Sequence, residues 1–182
     1  IPDGRVNAPL TSLARTTHPR VHVSWFDAIA YARWHTERIG SLVRLPTEWE
    51  WFLAATGADE RRYPWGNKFQ TSRCNSRQLG IGHVVASDTF PAGASPTGAI
   101  DMVGNAWERC LGLYSNPANV SVGAAGDRTI RGGSWASDAT RCDTRSRQVC
   151  VTGRRFNDGG FRLVRTSESF MPSYVSVRQR VE

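Results

Sequence analysis

The stretch Arg131-Gly132-Gly133-Ser134-Trp135, answered downstream by Gly160-Phe161-Arg162-Leu163, decides how this chain is read. Between these brackets, Ala136 to Gly159 has no long apolar periodicity and mixes Ser, Asp, Thr, Arg, Gln, Val, Cys, Phe and Asn. Fixed glycine and aromatic ends around an irregular middle predict a displayed surface rather than a core element.

The chain has 182 residues, enough for one domain with a substantial core. It is 40% hydrophobic and 21% charged, a globular balance, and its apolar runs are too short to span a bilayer. There is no Met start and no signal-like opening, so Ile1 is read as following a removed segment, and the compartment stays open. The formal charge of +7 favours anionic partners. Yet Lys68 is the only lysine among 23 basic residues, and no run of five like charges exists, so nucleic acid is not the expected partner. The four cysteines are Cys74, Cys110, Cys142 and Cys150, with no CxxC and no zinc-site spacing. They read as ordinary thiols, with a Cys142–Cys150 bridge as the alternative.

Pro2, Gly4, Pro9 and Pro19 make residues 1–17 irregular. Val21-His22-Val23 alternates like a short strand. Ser24 with Asp27 then forms a capping box, opening a helix from Trp25 to Ile39 that places Ile29, Ala32 and Trp34 near helical spacing and stops at Gly40. Thr47 with Glu50 opens a second helix that ends near Gly57. Pro64-Trp65-Gly66-Asn67 is a turn, residues 70–100 are irregular, and residues 128–135 and 160–165 read as core strands. The tail 166–182 is polar and reads as an extension. Seven tryptophans suit an aromatic core that compensates for sparse regular structure.

Six motifs occur in order: His22-Val23-Ser24-Trp25, Arg44-Leu45-Pro46-Thr47-Glu48, Tyr63-Pro64-Trp65-Gly66-Asn67, Asp101-Met102-Val103-Gly104-Asn105-Ala106-Trp107-Glu108, Arg131-Gly132-Gly133-Ser134-Trp135 and Gly160-Phe161-Arg162. As an ordered set over residues 18–165 they resemble the formylglycine-generating-enzyme, or sulfatase-modifying factor, family. The resemblance implies an α+β fold of C-type-lectin-like form, low in regular secondary structure, with two helices in the N-terminal half. The family's usual opening strand and helix are not evident, so the chain is expected to span part of the full domain.

The family's branches differ in chemistry, so fold membership does not settle activity. In the oxidase branch, two cysteines at the third and eighth residues after the Gly-Gly-Ser serine hold copper. Here those positions are Ser137 and Cys142. A hydroxyl is a poor partner for copper(I), which selects soft thiolates, so copper is not expected, and Cys142 is the catalytic candidate only if the chain is an oxidase. The iron-dependent sulfoxide-synthase branch uses a histidine cluster in a separate helical domain. This chain has only His18, His22, His35 and His83, with His22 read as a core histidine and His35 as exposed.

The third branch comprises the variable proteins of diversity-generating retroelements, whose hypervariable residues lie between the two bracketing motifs. By that resemblance residues 136–158 are the candidate variable region. The ligand-binding residues are Ala136, Ser137, Asp138, Thr140, Asp143, Thr144, Gln148, Val149, Cys150, Val151, Arg155, Phe156 and Asp158, and Arg141, Arg145 and Arg147 read as framework. Exposed Val, Cys and Phe beside Arg and Asp suit a paratope for a protein or other macromolecular ligand. The resemblance also implies structural calcium at Asp101, Gly104, Ala106 and Glu108, where two carboxylates and backbone carbonyls supply oxygen ligands. A second family site would use Asn75 and Ser76, with Asp88 as a doubtful acid. The expectation is a non-catalytic binding module; a formylglycine-generating-type oxidase is the alternative.

Overall fold

A computed structural model describes residues 17–166. The expected irregular opening segment and the tail fall largely outside the described residues. Within them run helix α1 (Trp25–Ile39), strand β1 (Val43–Arg44), helix α2 (Glu48–Thr56), and strands β2 (Trp107–Leu113), β3 (Arg128–Arg131), β4 (Arg147–Cys150), β5 (Gly159–Gly160) and β6 (Val164–Arg165). The architecture is α+β, with two helices in the N-terminal half and long irregular connections.

Both helices start where the side chains dictate. Ser24 Oγ accepts from the Asp27 amide while the Asp27 carboxylate accepts from the Ser24 amide, and Thr47 and Glu50 repeat this reciprocal cap. Gly40 ends α1 in the left-handed conformation that a residue without Cβ adopts cheaply.

The larger sheet has the order β4-β3-β2-β5, antiparallel except where β5 pairs parallel to β2. A second sheet pairs β1 with β6, so the first and last strands of the described chain meet. Trp25 packs with Ala28, Ile29, Leu45 and Leu111, and Trp51 with Ala55, Met102 and Cys110. Each helix is pinned to β3 by an arginine over its tryptophan, Arg128 at 4.2 Å from Trp25 and Arg131 at 5.2 Å from Trp51. Arg44 and Arg109 are buried as well. Arg109 donates to the Val23 and Arg154 carbonyls, so part of the basic excess is interior framework.

Several expectations are corrected. Residues 21–23 form no strand: His22 has φ +59° and lies exposed, its amide bonded to the Phe156 carbonyl. Trp34 is exposed and His35 is half-buried, stacked on Tyr31, because the inner face of α1 is Trp25, Ala28, Ile29 and Ala32. The strand expected over 128–135 stops at Arg131, where Gly132 and Gly133 turn to φ +90° and +75°. The strand expected over 160–165 is two short pieces, β5 and β6. Strands β2 and β4 carry no alternation, and sequence reasoning missed both. Trp25, Trp51 and Trp107 are core residues, whereas Trp49 is exposed like Trp34. No described helix is long and apolar enough to cross a membrane.

Candidate functional site

The two brackets are rigid for steric reasons. A Cβ on Gly132 would lie 2.8 Å from the Met102 carbonyl oxygen and 3.1 Å from the Trp51 ring. A Cβ on Gly160 would lie 2.7 Å from the Arg20 carbonyl oxygen. The Gly104 amide donates to the Gly132 carbonyl, and the Trp135 amide to that of Asn105, so the upstream bracket is sewn to the Asp101–Glu108 motif. Ser134 Oγ donates to Asp158 Oδ2 at 2.5 Å, closing the segment across its own base.

Within 136–158 the chain alternates anchors with exposed groups. Ser137 is buried, its Oγ accepting from the Ser134 amide. Asp143 pairs with Arg62 at 2.6 Å, and the Thr144 hydroxyl donates to the Arg61 carbonyl at 2.7 Å. Cys150 packs on Trp107 and Ile130. These four residues are therefore withdrawn from the expected binding set: burial leaves them holding the segment from below. Thr140, Val149, Val151 and Arg155 are exposed, and Ala136, Asp138, Gln148, Phe156 and Asp158 are half-buried. Strand β4 pairs along its whole length with β3 while Val149 faces solvent, 48% exposed, and Val151 follows at 56%. Two guanidinium groups lie over the Phe156 ring, Arg109 at 5.3 Å and Arg154 at 5.4 Å from its centroid. A pocket of about 200 Å³ opens here, lined by Arg141, Gln148, Val149, Arg154, Phe156 and Asp158.

The surface groups are electrostatically set. Thr140 donates to Asp138 Oδ1 at 2.6 Å and holds that carboxyl below its ordinary range. Arg155 donates twice to Asp27, at 2.8 and 2.9 Å, and with Ser24 keeps Asp27 well below the usual carboxylate range. Arg155 thus couples the segment to the first turn of α1. Of the framework arginines, Arg147 grips Glu48 and Arg145 donates to the Glu60 carbonyl.

Cys142 is fully buried and its sulfur faces the Ser134 and Ser137 carbonyls. The neighbouring Cys74 sulfur, together with burial, pushes its thiol up, while Cys142 pulls the Cys74 thiol down. The cysteine partner of Cys142 is thus Cys74 rather than Cys150, which sits in a different cluster beside Trp107. Sequence reasoning missed Cys74 because no local spacing links it to Cys142.

Two of the residues expected to hold calcium, Glu108 and Asp101, already have protein partners. Glu108 Oε2 accepts from Trp51 Nε1 at 2.6 Å and from Arg162 Nε at 2.5 Å, and Oε1 accepts from Arg162 Nη2 at 2.6 Å. A cation at Glu108 would have to displace Arg162. Asp101 accepts from Asn105 and is half-buried, and burial pushes its carboxyl up to about 6. At the second family position, Asn75 Oδ1 and Ser76 Oγ are buried without a protein partner, but Asp88 lies on the surface.

The sulfatase-modifying factor enzyme 1-like domain model matches residues 5–167. The chain belongs to this family. Among curated relatives, the chain is 36% identical over 151 residues to the formylglycine-generating enzyme of Streptomyces coelicolor, covering 71% of this chain and 46% of that protein. It is 38% identical over 132 residues to the inactive C-alpha-formylglycine-generating enzyme 2 of Bos taurus, covering 66% of this chain and 40% of that one. The chain thus spans less than half the length of these relatives. Treponema denticola variable protein 1 shares the fold with a TM-score of 0.68 at 20% identity, over 89% of this chain and 74% of that one. PvdO from Pseudomonas aeruginosa does so with 0.70 at 22%, over 82% and 62%.

Proposed function

We propose that this chain is a non-catalytic ligand-binding protein that displays residues 136–158 on a sulfatase-modifying factor scaffold, in the manner of the variable proteins of diversity-generating retroelements. One observation carries the reading: buried anchors alternate with exposed side chains along a segment clamped at both ends. Such a segment presents side chains in a fixed geometry, so binding loses little conformational entropy. The mix of Val149 and Phe156 with Arg141, Arg154 and Asp158 around one pocket, with exposed Val151 next in the chain after Cys150, suits a macromolecular ligand. The likeness in fold to Treponema denticola variable protein 1 and in sequence to an inactive relative supports this reading.

The second reading, an oxidase of the formylglycine-generating type, is favoured by one specific observation. Cys142 retains a thiol neighbour, Cys74, although Ser137 occupies the other family position. Copper, where bound in this family, supplies oxygen chemistry at a cysteine pair. In this chain Ser137 Oγ accepts from the Ser134 amide, and the neighbouring Cys74 together with burial pushes the Cys142 thiol up.

The test is incubation with copper(I), oxygen and a cysteine-containing sulfatase peptide, trapping aldehyde with an aminooxy probe. The binding reading predicts no aldehyde above the protein-free control. Turnover that Cys142→Ser abolishes would overturn it.

A further inference from the structure

Two thiols from distant parts of the chain meet in one dry cluster. Cys74 follows a short 3-10 turn, Thr71–Arg73, and packs with Val103 and Cys142 under Trp65 and Phe69. Cys142 lies in the displayed segment, eight positions beyond Ser134. The cluster is tight on both flanks: a Cβ on Gly104 would come 3.2 Å from Cys74 Cβ, and one on Gly133 3.1 Å from Cys142 Sγ. Cys74 and Cys142 are 1% and 0% exposed and belong to the same buried cluster. Cys110 lies in the Trp51 cluster and Cys150 in the Trp107 cluster, so the four thiols sort into one pair and two singles.

We infer that Cys74 and Cys142 form a covalent cross-linking site, closing to a disulfide that staples the base of the displayed segment to the turn carrying Asn75. The neighbouring backbone is already joined there, since the Arg77 amide donates to the Ser137 carbonyl. The cross-link makes that junction permanent, and reduction returns it to packing and hydrogen bonds. The inference holds whether the segment binds a macromolecule or serves an oxidase.

The oxidant is a small-molecule disulfide of the glutathione class. The Cys74 thiolate attacks one of its sulfurs, forming a mixed disulfide and releasing one small thiol. Cys142 then attacks the Cys74 sulfur and releases the second. Two protons and two electrons pass to the two released thiols. Both protein sulfurs are buried, so closure takes place during folding or when the segment opens.

The test uses the full chain, unfolded and reduced, then refolded with oxidised and reduced glutathione. The expected result is a non-reduced digest in which the Cys74 peptide is joined to the Cys142 peptide, with Cys110 and Cys150 still alkylatable. The oxidised protein then melts roughly 5–15 °C above the dithiothreitol-treated protein, as expected for one unstrained disulfide in a chain of this size. Cys74→Ala removes this redox dependence, and the Cys110→Ala/Cys150→Ala double variant keeps it. Four alkylatable thiols, or a Cys142–Cys150 link, would overturn the inference. The peptide map of the unsubstituted chain decides the linkage without any variant.

Discussion

Arg147 and Glu48, 99 positions apart, form a bidentate pair with both N–H···O distances at 2.8 Å. Glu48 sits in the first turn of α2 and Arg147 opens β4, so this pair ties the displayed segment to the helical layer. Glu48 also accepts from Thr129 at 2.7 Å and lies near the buried Arg131 guanidinium. Glu48→Gln strands Arg131 without its charge partner and is expected to destabilise by about 3 kcal/mol, measured by urea unfolding at pH 7. Arg147→Ala, whose side chain is partly exposed, is expected to cost about 1 kcal/mol. Burial pushes the Glu48 carboxyl up, but the bonds to Arg147 and Thr129 outweigh it and the net shift is downward. Its folded value is below its unfolded value, so its contribution is present above the unfolded value near 4.5 and is lost as pH falls through the folded one.

Asp101 behaves in the opposite sense. Burial holds its folded value near 6, above the ordinary 3.8, so its ionised form costs stability at neutral pH. The cost builds as pH rises from about 4 to about 6 and stays constant above. Asn at this position keeps an acceptor for Asn105 and tolerates the left-handed φ of +57°. Asp101→Asn is therefore expected to stabilise by about 2 kcal/mol at pH 8, with the gain gone below about pH 4. Denaturant midpoints across that range check it. Because Arg162 already occupies Glu108, added calcium is expected to leave the melting temperature of the unsubstituted protein unchanged.

The bracket glycine is a steric requirement. Gly132→Ala combines a φ of +90° with a carbonyl 2.8 Å from the new Cβ. A loss of about 3 kcal/mol is expected, read as a lower denaturant midpoint with the slope unchanged.

The displayed strand should tolerate change on its outer side only. Val149→Thr and Val151→Thr are expected to leave stability within about 0.5 kcal/mol. Cys150→Ser puts a hydroxyl against Trp107 and Ile130 and is expected to cost about 1–3 kcal/mol. Thermal melts of the three variants side by side test the contrast.

The readable parts of the fold were the locally determined ones. Both helix starts follow from capping boxes whose partners are three positions apart. Strand β2 was hidden because all of it is buried and it carries Glu108 and Arg109, whose charges are met by Arg162 and by distant backbone carbonyls. Strand β4 was hidden because its sequence, Arg-Gln-Val-Cys, becomes a strand only by pairing with β3. At the site, the brackets were readable from their glycines. Which residues between them point inward was not, because Asp143 and Thr144 owe their burial to Arg61 and Arg62, which come from the other half of the chain. The Cys74–Cys142 contact is long-range in the same way.

The central claim is that residues 136–158 combine a fixed buried frame with a variable exposed face. Sequencing sibling copies of this gene, and their neighbouring template repeat, tests it most directly. The account predicts substitutions gathered at Thr140, Gln148, Val149, Val151 and Arg155, with Ser137, Cys142, Asp143, Thr144 and Cys150 unchanged. Substitutions spread evenly through the domain, or an invariant exposed face, would contradict it.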